Sequence, residues 1–168
     1  ADLTMIEGRS QPAQGDIVVV SGSIYDDDHN PVAGALVDVW QANAHRRYAH
    51  PADTNPAPLD PNFQGWAQMH SDEQGAYRFK TIIPGPYPVS EEWSRPPHIH
   101  FKVSKRGFHE LATQMYFAGN PLNTVDRLLL AHPQAERARL IVRLTAAGPE
   151  RAEQAGEFNI VLRRVRES

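Results

Sequence analysis

A chain of 168 residues with 40% hydrophobic content can bury one core without staples, and the expectation is a single domain over residues 1–168. It has no cysteine, which excludes disulfides, thiolate metal sites, iron-sulfur clusters and Cys nucleophiles, so any metal must be held by nitrogen and oxygen. A net charge of −3 gives no basic field for nucleic acid, and the apolar runs fall far short of the roughly 20 residues of a membrane span; neither nucleic acid nor membrane is an expected partner. Fourteen prolines and eleven glycines interrupt the chain too often for long helices. In chain order the candidate strands are DIVVVSGSIYD (16–26), GALVDVWQA (34–42), GAYRFKTII (75–83), HIHFKVS (98–104), ELATQMYF (110–117), RARLIVRL (137–144) and EFNIVLRRV (157–165). DDDHNPVAG (26–34) reads as a hairpin turn, and the one helix candidate is short, near TVDRLLLAH (124–132). The fold class is therefore all-β, a β-sandwich or barrel with little helix. Cytoplasm is the expected location, although a removed export signal would read the same.

Two irregular stretches stand out, residues 43–75 and the Pro-rich PGPYPVSEEWSRPP (84–97), and long irregular segments in a compact domain tend to be functional. The second leads into RPPHIHF. In a strand, alternate residues share a face, so His98 and His100 point to one side and Ile99 to the other. Such a pair suits a metal or a hydrogen-bonded wet site, and spacing alone leaves both open. Each loop also carries a tyrosine between constrained neighbours, Tyr48 in RRYAHP and Tyr87 in PGPYPV. A phenol is protonated at neutral pH unless a highly charged cation lowers its pKa. Two His with two Tyr therefore suggest iron(III): a trivalent ion balanced by two phenolates and a hydroxide is neutral and can be buried without a large Born cost, whereas zinc would be left anionic. A catecholate could replace the hydroxide and one tyrosinate at the same net charge. Taken singly, each tyrosine reads more readily as a packed core or interface residue than as a ligand, and the histidines at 29, 45, 50, 70, 109 and 132 receive no role.

The blocks VDVWQANAHRRYAHP, LDPNFQGWAQMHSDEQGAYRFKTIIPGPYP, RPPHIHF and TQMYFAGNPL, in that order, closely resemble the intradiol ring-cleavage dioxygenases, in particular the protocatechuate 3,4-dioxygenase type. The resemblance runs from about residue 15 to residue 126. It implies an intradiol dioxygenase-like β-sandwich with long functional loops, and one iron(III) per chain held by Tyr48, Tyr87, His98 and His100. It further implies Arg95 and Gln114 as residues lining the substrate pocket, and Tyr87 as the axial ligand that leaves when substrate binds. The implied reaction activates a catecholic aromatic for attack by O2 and yields a cis,cis-muconate-type diacid, as in aromatic compound catabolism. The expected partners are a small aromatic diol and O2, and the expected assembly is a homo-oligomer, with a homologous second subunit as the alternative.

Some residues depart from the pattern. Val89 stands where relatives commonly have Trp, and Pro97 where they have Ala. RRYAHP looks like the non-iron α-type subunit, which lacks the full ligand set, so the chain resembles the iron-binding β type overall. No long helical N-terminal segment precedes the blocks, which points away from the catechol 1,2-dioxygenase branch. Two rivals remain. SGSIYDDDHNPVAGALVDVW also resembles non-catalytic, transthyretin-like binding modules. An extradiol-like or hydrolytic metal site would need a carboxylate or third histidine, and none adjoins RPPHIHF.

Overall fold

IVVVSGSIYD buries every second side chain, and this alternation turns it into the longest strand, β1 (Ile17–Asp26). The computed structural model describes residues 1–147 and 153–166. In it β1 pairs antiparallel with β4 (Ala76–Ile82) over Ile17–Ser23, and parallel with β11 (Gln154–Glu157) and then β12 (Ile160–Leu162). The short β10 (Thr145–Ala146) extends this sheet beyond β11. A second five-stranded sheet has the order β3 (Trp66–His70), β2 (Leu36–Trp40), β7 (His98–Ser104), β8 (Leu111–Phe117), β9 (Ile141–Val142). β5 (Tyr87–Pro88) and β6 (Ser94–Arg95) form a small ribbon.

The inner faces of the two sheets share one apolar cluster: Val18, Val20, Ile24, Phe79 and Ile160 from the first, Val37, Val39, Ile99, Phe101 and Met115 from the second. Phe101 is fully buried and bridges the layers, with ring centroids 5.8 Å from Phe79, 6.0 Å from Tyr77 and 4.9 Å from Phe158. This is the expected all-β sandwich. Because Ile99, Phe101 and Val103 take the core side of β7, His98 and His100 are turned to the outer face of the second sheet, under the loops.

Two expectations need correction. Residues 137–144 are not a strand: QAERARL forms the helix α2 (Gln134–Leu140), and only Ile141 and Val142 are extended. Ala, Glu, Arg, Gln and Leu are strong helix formers following Pro133, and the switch comes at the first β-branched residues. The 26–34 segment turns, with Asp26 Oδ1 accepting from the Asp28 and Asn30 amides at 2.9 and 2.8 Å, but the strands it joins lie in different sheets. An antiparallel bridge between Tyr25 and Pro31 closes the turn, after which the chain crosses the sandwich. The 43–75 stretch is not wholly irregular either, since it contains β3 opposite β2. The expected helix appears as a 3-10 turn (Pro121–Thr124) and α1 (Arg127–Leu130). No helix of the described residues is long and apolar enough to cross a membrane.

Candidate metal centre

The register of the second sheet assembles the site. His98 lies opposite Tyr116, and His100 lies between Trp40 on β2 and Gln114 on β8. Trp40 stacks on the His100 ring at 4.9 Å and 3°. The His98 Nδ1 hydrogen donates to the Pro96 carbonyl at 2.8 Å, which aims its Nε2 lone pair into the site. Tyr48 reaches the same point from the loop after β2. That loop is held by Asn43, whose Oδ1 accepts from the amides of His45 and Arg47 at 2.8 and 3.0 Å while its Nδ2 donates to Pro58 O at 3.1 Å.

The Tyr48 hydroxyl is 3.1 Å from His98 Nε2 and 3.1 Å from His100 Nε2, and the two nitrogens are 3.2 Å apart. One phenol proton serves only one imidazole at a time. Ligand atoms bound at about 2.1 Å around one ion stand roughly 3.0–3.4 Å from each other, so this triangle has the dimensions of a metal's coordination face. The histidines are also kept neutral, as ligands must be. Burial, helped by the Arg95 cation, pushes His98 down to about 4; burial, with His98 and Arg95, pushes His100 down to about 3. Burial raises the Tyr48 phenol well above its ordinary value, so a cation is needed to deprotonate it.

Tyr87 lies in the same cavity, its ring edge-on to Tyr48 at 5.0 Å, but its hydroxyl donates to Asp53 Oδ1 at 2.8 Å and is not part of the triangle. Burial and the Asp53 carboxylate raise its pKa. The other Asp53 oxygen accepts the Tyr48 amide at 2.9 Å, so one carboxylate ties the two tyrosines together. Arg95 places Nη1 3.2 Å from His98 Nε2 and donates through Nη2 to Gln114 Oε1 at 2.7 Å and the Tyr116 hydroxyl at 2.8 Å. Its far edge pairs with the fully buried Asp126.

The site opens into a cavity of about 390 Å³ whose walls include Trp40, His50, Val89 and Arg95. A second cavity of about 310 Å³, lined by Leu128, Leu140 and Gln114, adjoins it through Trp40 and His100. A larger one of about 620 Å³, lined by His70, Arg78 and Glu157, contains none of this donor set. Among the described residues the only group of three His, Cys, Asp or Glu ligand atoms close enough for one ion is Asp26, Asp27 and Asp28, which shares no residue with this site. Arg164 and Arg166 pair with Asp26 and Asp27 there, so a facial triad has no counterpart at this site.

Sequence reading missed Asp53, Asp126, Tyr116, Trp40, His50 and Asn43. Asp126 carried a usable signal, an Asp three residues before a leucine in a helix candidate, the pattern of an N-cap.

A family profile described as Dioxygenase matches residues 2–164. The protocatechuate 3,4-dioxygenase beta chain of Burkholderia cepacia is 44% identical over 167 residues, spanning 96% of this chain and 71% of that one. Chlorocatechol 1,2-dioxygenase of Pseudomonas sp. (strain P51) is 35% identical over 116 residues, spanning 61% of this chain and 44% of the relative. The crystal structure of 3-chlorocatechol 1,2-dioxygenase from Rhodococcus opacus 1CP superposes with a TM-score of 0.75 at 26% identity, covering 98% of this chain and 65% of that one. The chain thus spans less than half of the Pseudomonas relative and about two thirds of the Rhodococcus one.

Proposed function

The chain belongs to the intradiol ring-cleavage dioxygenase family, and on that premise we propose that it is an iron(III)-dependent oxidoreductase, a single catalytic domain that cleaves a catecholic aromatic with O2. The substrate class is protocatechuate-like or substituted catechol, and the product a cis,cis-muconate-type diacid carrying both oxygen atoms. The observation that carries this reading is the triangle of Tyr48 Oη, His98 Nε2 and His100 Nε2 at 3.1–3.2 Å. When bound, ferric ion supplies a Lewis-acidic, redox-active centre that takes both oxygens of a catechol and makes the ring reactive toward O2.

The chain's own residues divide the remaining work. Tyr48, His98 and His100 hold the ion, and Trp40 keeps the His100 ring from turning. Tyr87 would be the fourth residue to hold the ion, and because Asp53 already accepts its hydroxyl at 2.8 Å and favours its protonated form, its oxygen is placed to take a proton from the diol. Arg95 directs Nη1 into the cavity, where it stabilises anionic charge on the bound ring. Gln114 spends its carbonyl oxygen on Arg95 and Tyr116, which leaves its amide nitrogen as the donor for a reactive oxygen. The same proposal takes the protein to be cytoplasmic. It also takes it to be an oligomer of its own chain or with a homologous subunit; the name of the Burkholderia relative, a beta chain, supports the second form.

An oxygen-uptake panel over catechol, protocatechuate, hydroxyquinol, gallate and chlorocatechols tests the reading. At least one should consume one O2 per ring and give a product heavier by two oxygen atoms and cleaved between the hydroxyl carbons. Cleavage beside the diol, or no uptake by iron-loaded protein with any of them, would contradict it.

A further inference from the structure

Asp126 lies at the end of the loop after β8 and is fully buried. Its carboxylate does two jobs. Oδ1 accepts from Arg95 Nε at 3.0 Å and Oδ2 from Nη2 at 3.1 Å, a two-pronged ion pair. Oδ2 also accepts the Leu129 amide at 2.9 Å and so caps α1. Burial disfavours the charged carboxylate, but the Arg95 guanidinium and the Leu129 amide outweigh it and hold Asp126 below the usual carboxylate range.

The guanidinium has five N–H donors in a rigid plane. Nε faces Asp126, and Nη2 faces Asp126, Gln114 Oε1 and the Tyr116 hydroxyl. That edge is fully engaged, and Nη1 is left facing the donor triangle, 3.2 Å from His98 Nε2. Fixing one edge of a rigid plane fixes the other. We propose that Asp126 is a positioning residue for ring cleavage: it sets the angle at which Arg95 presents Nη1 to the bound aromatic, and it ties that arginine to α1, whose Leu128 lines the adjoining cavity.

The inference rests on the dioxygenase reading and goes beyond it. Because the Arg95 charge is balanced by Asp126, the arginine acts as an aimed pair of N–H donors more than as a free cation. Such a donor is worth most against charge that appears during the reaction and less against a bound catecholate, whose charge the metal ion already balances. Asp126 therefore belongs to turnover and hardly to substrate affinity. A purely structural role, cap and ion pair only, would lower stability and leave the turnover of folded protein unchanged.

Asp126→Asn keeps the size and a cap oxygen but removes the two-pronged charge. The iron content and visible spectrum of the resting variant should match wild type, and its dissociation constant for catechol, titrated without oxygen, should change by less than about threefold. Its kcat should fall on the order of 10- to 100-fold. In an Arg95→Gln background the same change should alter kcat by less than about twofold, because the residue it positions is gone. Should Asp126→Asn fail to fold, the comparison runs between Arg95→Gln and the double variant, which pairs two neutral amides, and Asp126→Glu should keep more turnover than Asp126→Ser. Unchanged kcat in folded, iron-loaded Asp126→Asn, equal losses in both backgrounds, or equal turnover of the Glu and Ser variants would overturn the proposal. A wild-type protein that cleaves no catechol would instead remove the reading beneath it.

Discussion

His98 and His100 are readable at the residue scale because a strand's alternation leaves few choices: once Ile99, Phe101 and Val103 take the core, the imidazoles must share the outer face. What surrounds them was not legible. Asp53 and Asp126 come from loops whose paths no local pattern specifies, and each is recognisable only by its partner, Tyr87 or Arg95. Of the two departures from the family pattern, Val89 lies exposed on the wall of the cavity, and Pro97 is buried just before the first histidine. Imidazoles pushed down to about 4 and about 3 carry a pH consequence for metal-free protein. The unfolded chain takes up protons on both near pH 6.5 while the folded one does not, so acid favours unfolding. The unfolding free energy of metal-free protein, and its melting temperature with it, should fall as pH drops below about 6.5, the free energy by on the order of 1 kcal/mol per pH unit for each histidine. His98→Gln and His100→Gln should flatten that slope, and an unaltered slope would show that other groups cause it. The tyrosines should differ too. Tyr48→Phe, which removes one corner of the triangle, should lose most bound iron, whereas Tyr87→Phe should keep more iron and slow turnover. Equal iron contents would put their unequal roles in doubt.

At the scale of elements, most strands could be read from alternation, and β7 starts and ends at the residues expected. The errors have a common cause, since a local pattern does not reveal which sheet a segment joins. The 26–34 turn has ordinary hairpin chemistry but delivers β2 to the opposite sheet. RARL has apolar and charged residues in alternation, as a strand would, yet it sits among helix formers and becomes the end of α2. β3 was hidden in a long loop because Trp66 and Gln68 alternate with only two smaller apolar partners, Ala67 and Met69. The loop that carries Tyr48 depends on Asn43, which is buried and bonded at three points. Asn43→Ala leaves those groups without partners and should cost about 2–3 kcal/mol. Iron affinity should fall as well, measured by competition with a chelator, because the loop would no longer fix the Tyr48 oxygen. A full loss of stability with unchanged iron affinity would separate the loop from the site.

On the scale of the whole molecule, the sandwich was legible from composition and turn density, but the tightness of packing within its first sheet was not. Gly22 on β1 shows this: a Cβ there would lie 1.8 Å from the carbonyl oxygen of Phe158, in the turn between β11 and β12, which also accepts the Tyr77 hydroxyl. Gly22→Ala should therefore destabilise by on the order of 2–5 kcal/mol in denaturant unfolding, a larger effect than Ala usually has in a strand. A change below about 1 kcal/mol would mean that β1 and the Phe158 turn can separate freely. This packing matters for function because the Phe158 ring lies 4.9 Å from Phe101 on the core face of β7, and the outer face of β7 carries the imidazoles.

The central claim, that this face and its loops hold ferric ion through phenolate and imidazole, is tested most directly by resonance Raman spectroscopy of iron-loaded protein excited in its visible absorption band. The account predicts tyrosinate vibrations that weaken in Tyr48→Phe and change when a catechol is added without oxygen. A protein that binds iron stoichiometrically yet shows neither a visible band nor tyrosinate vibrations would contradict it.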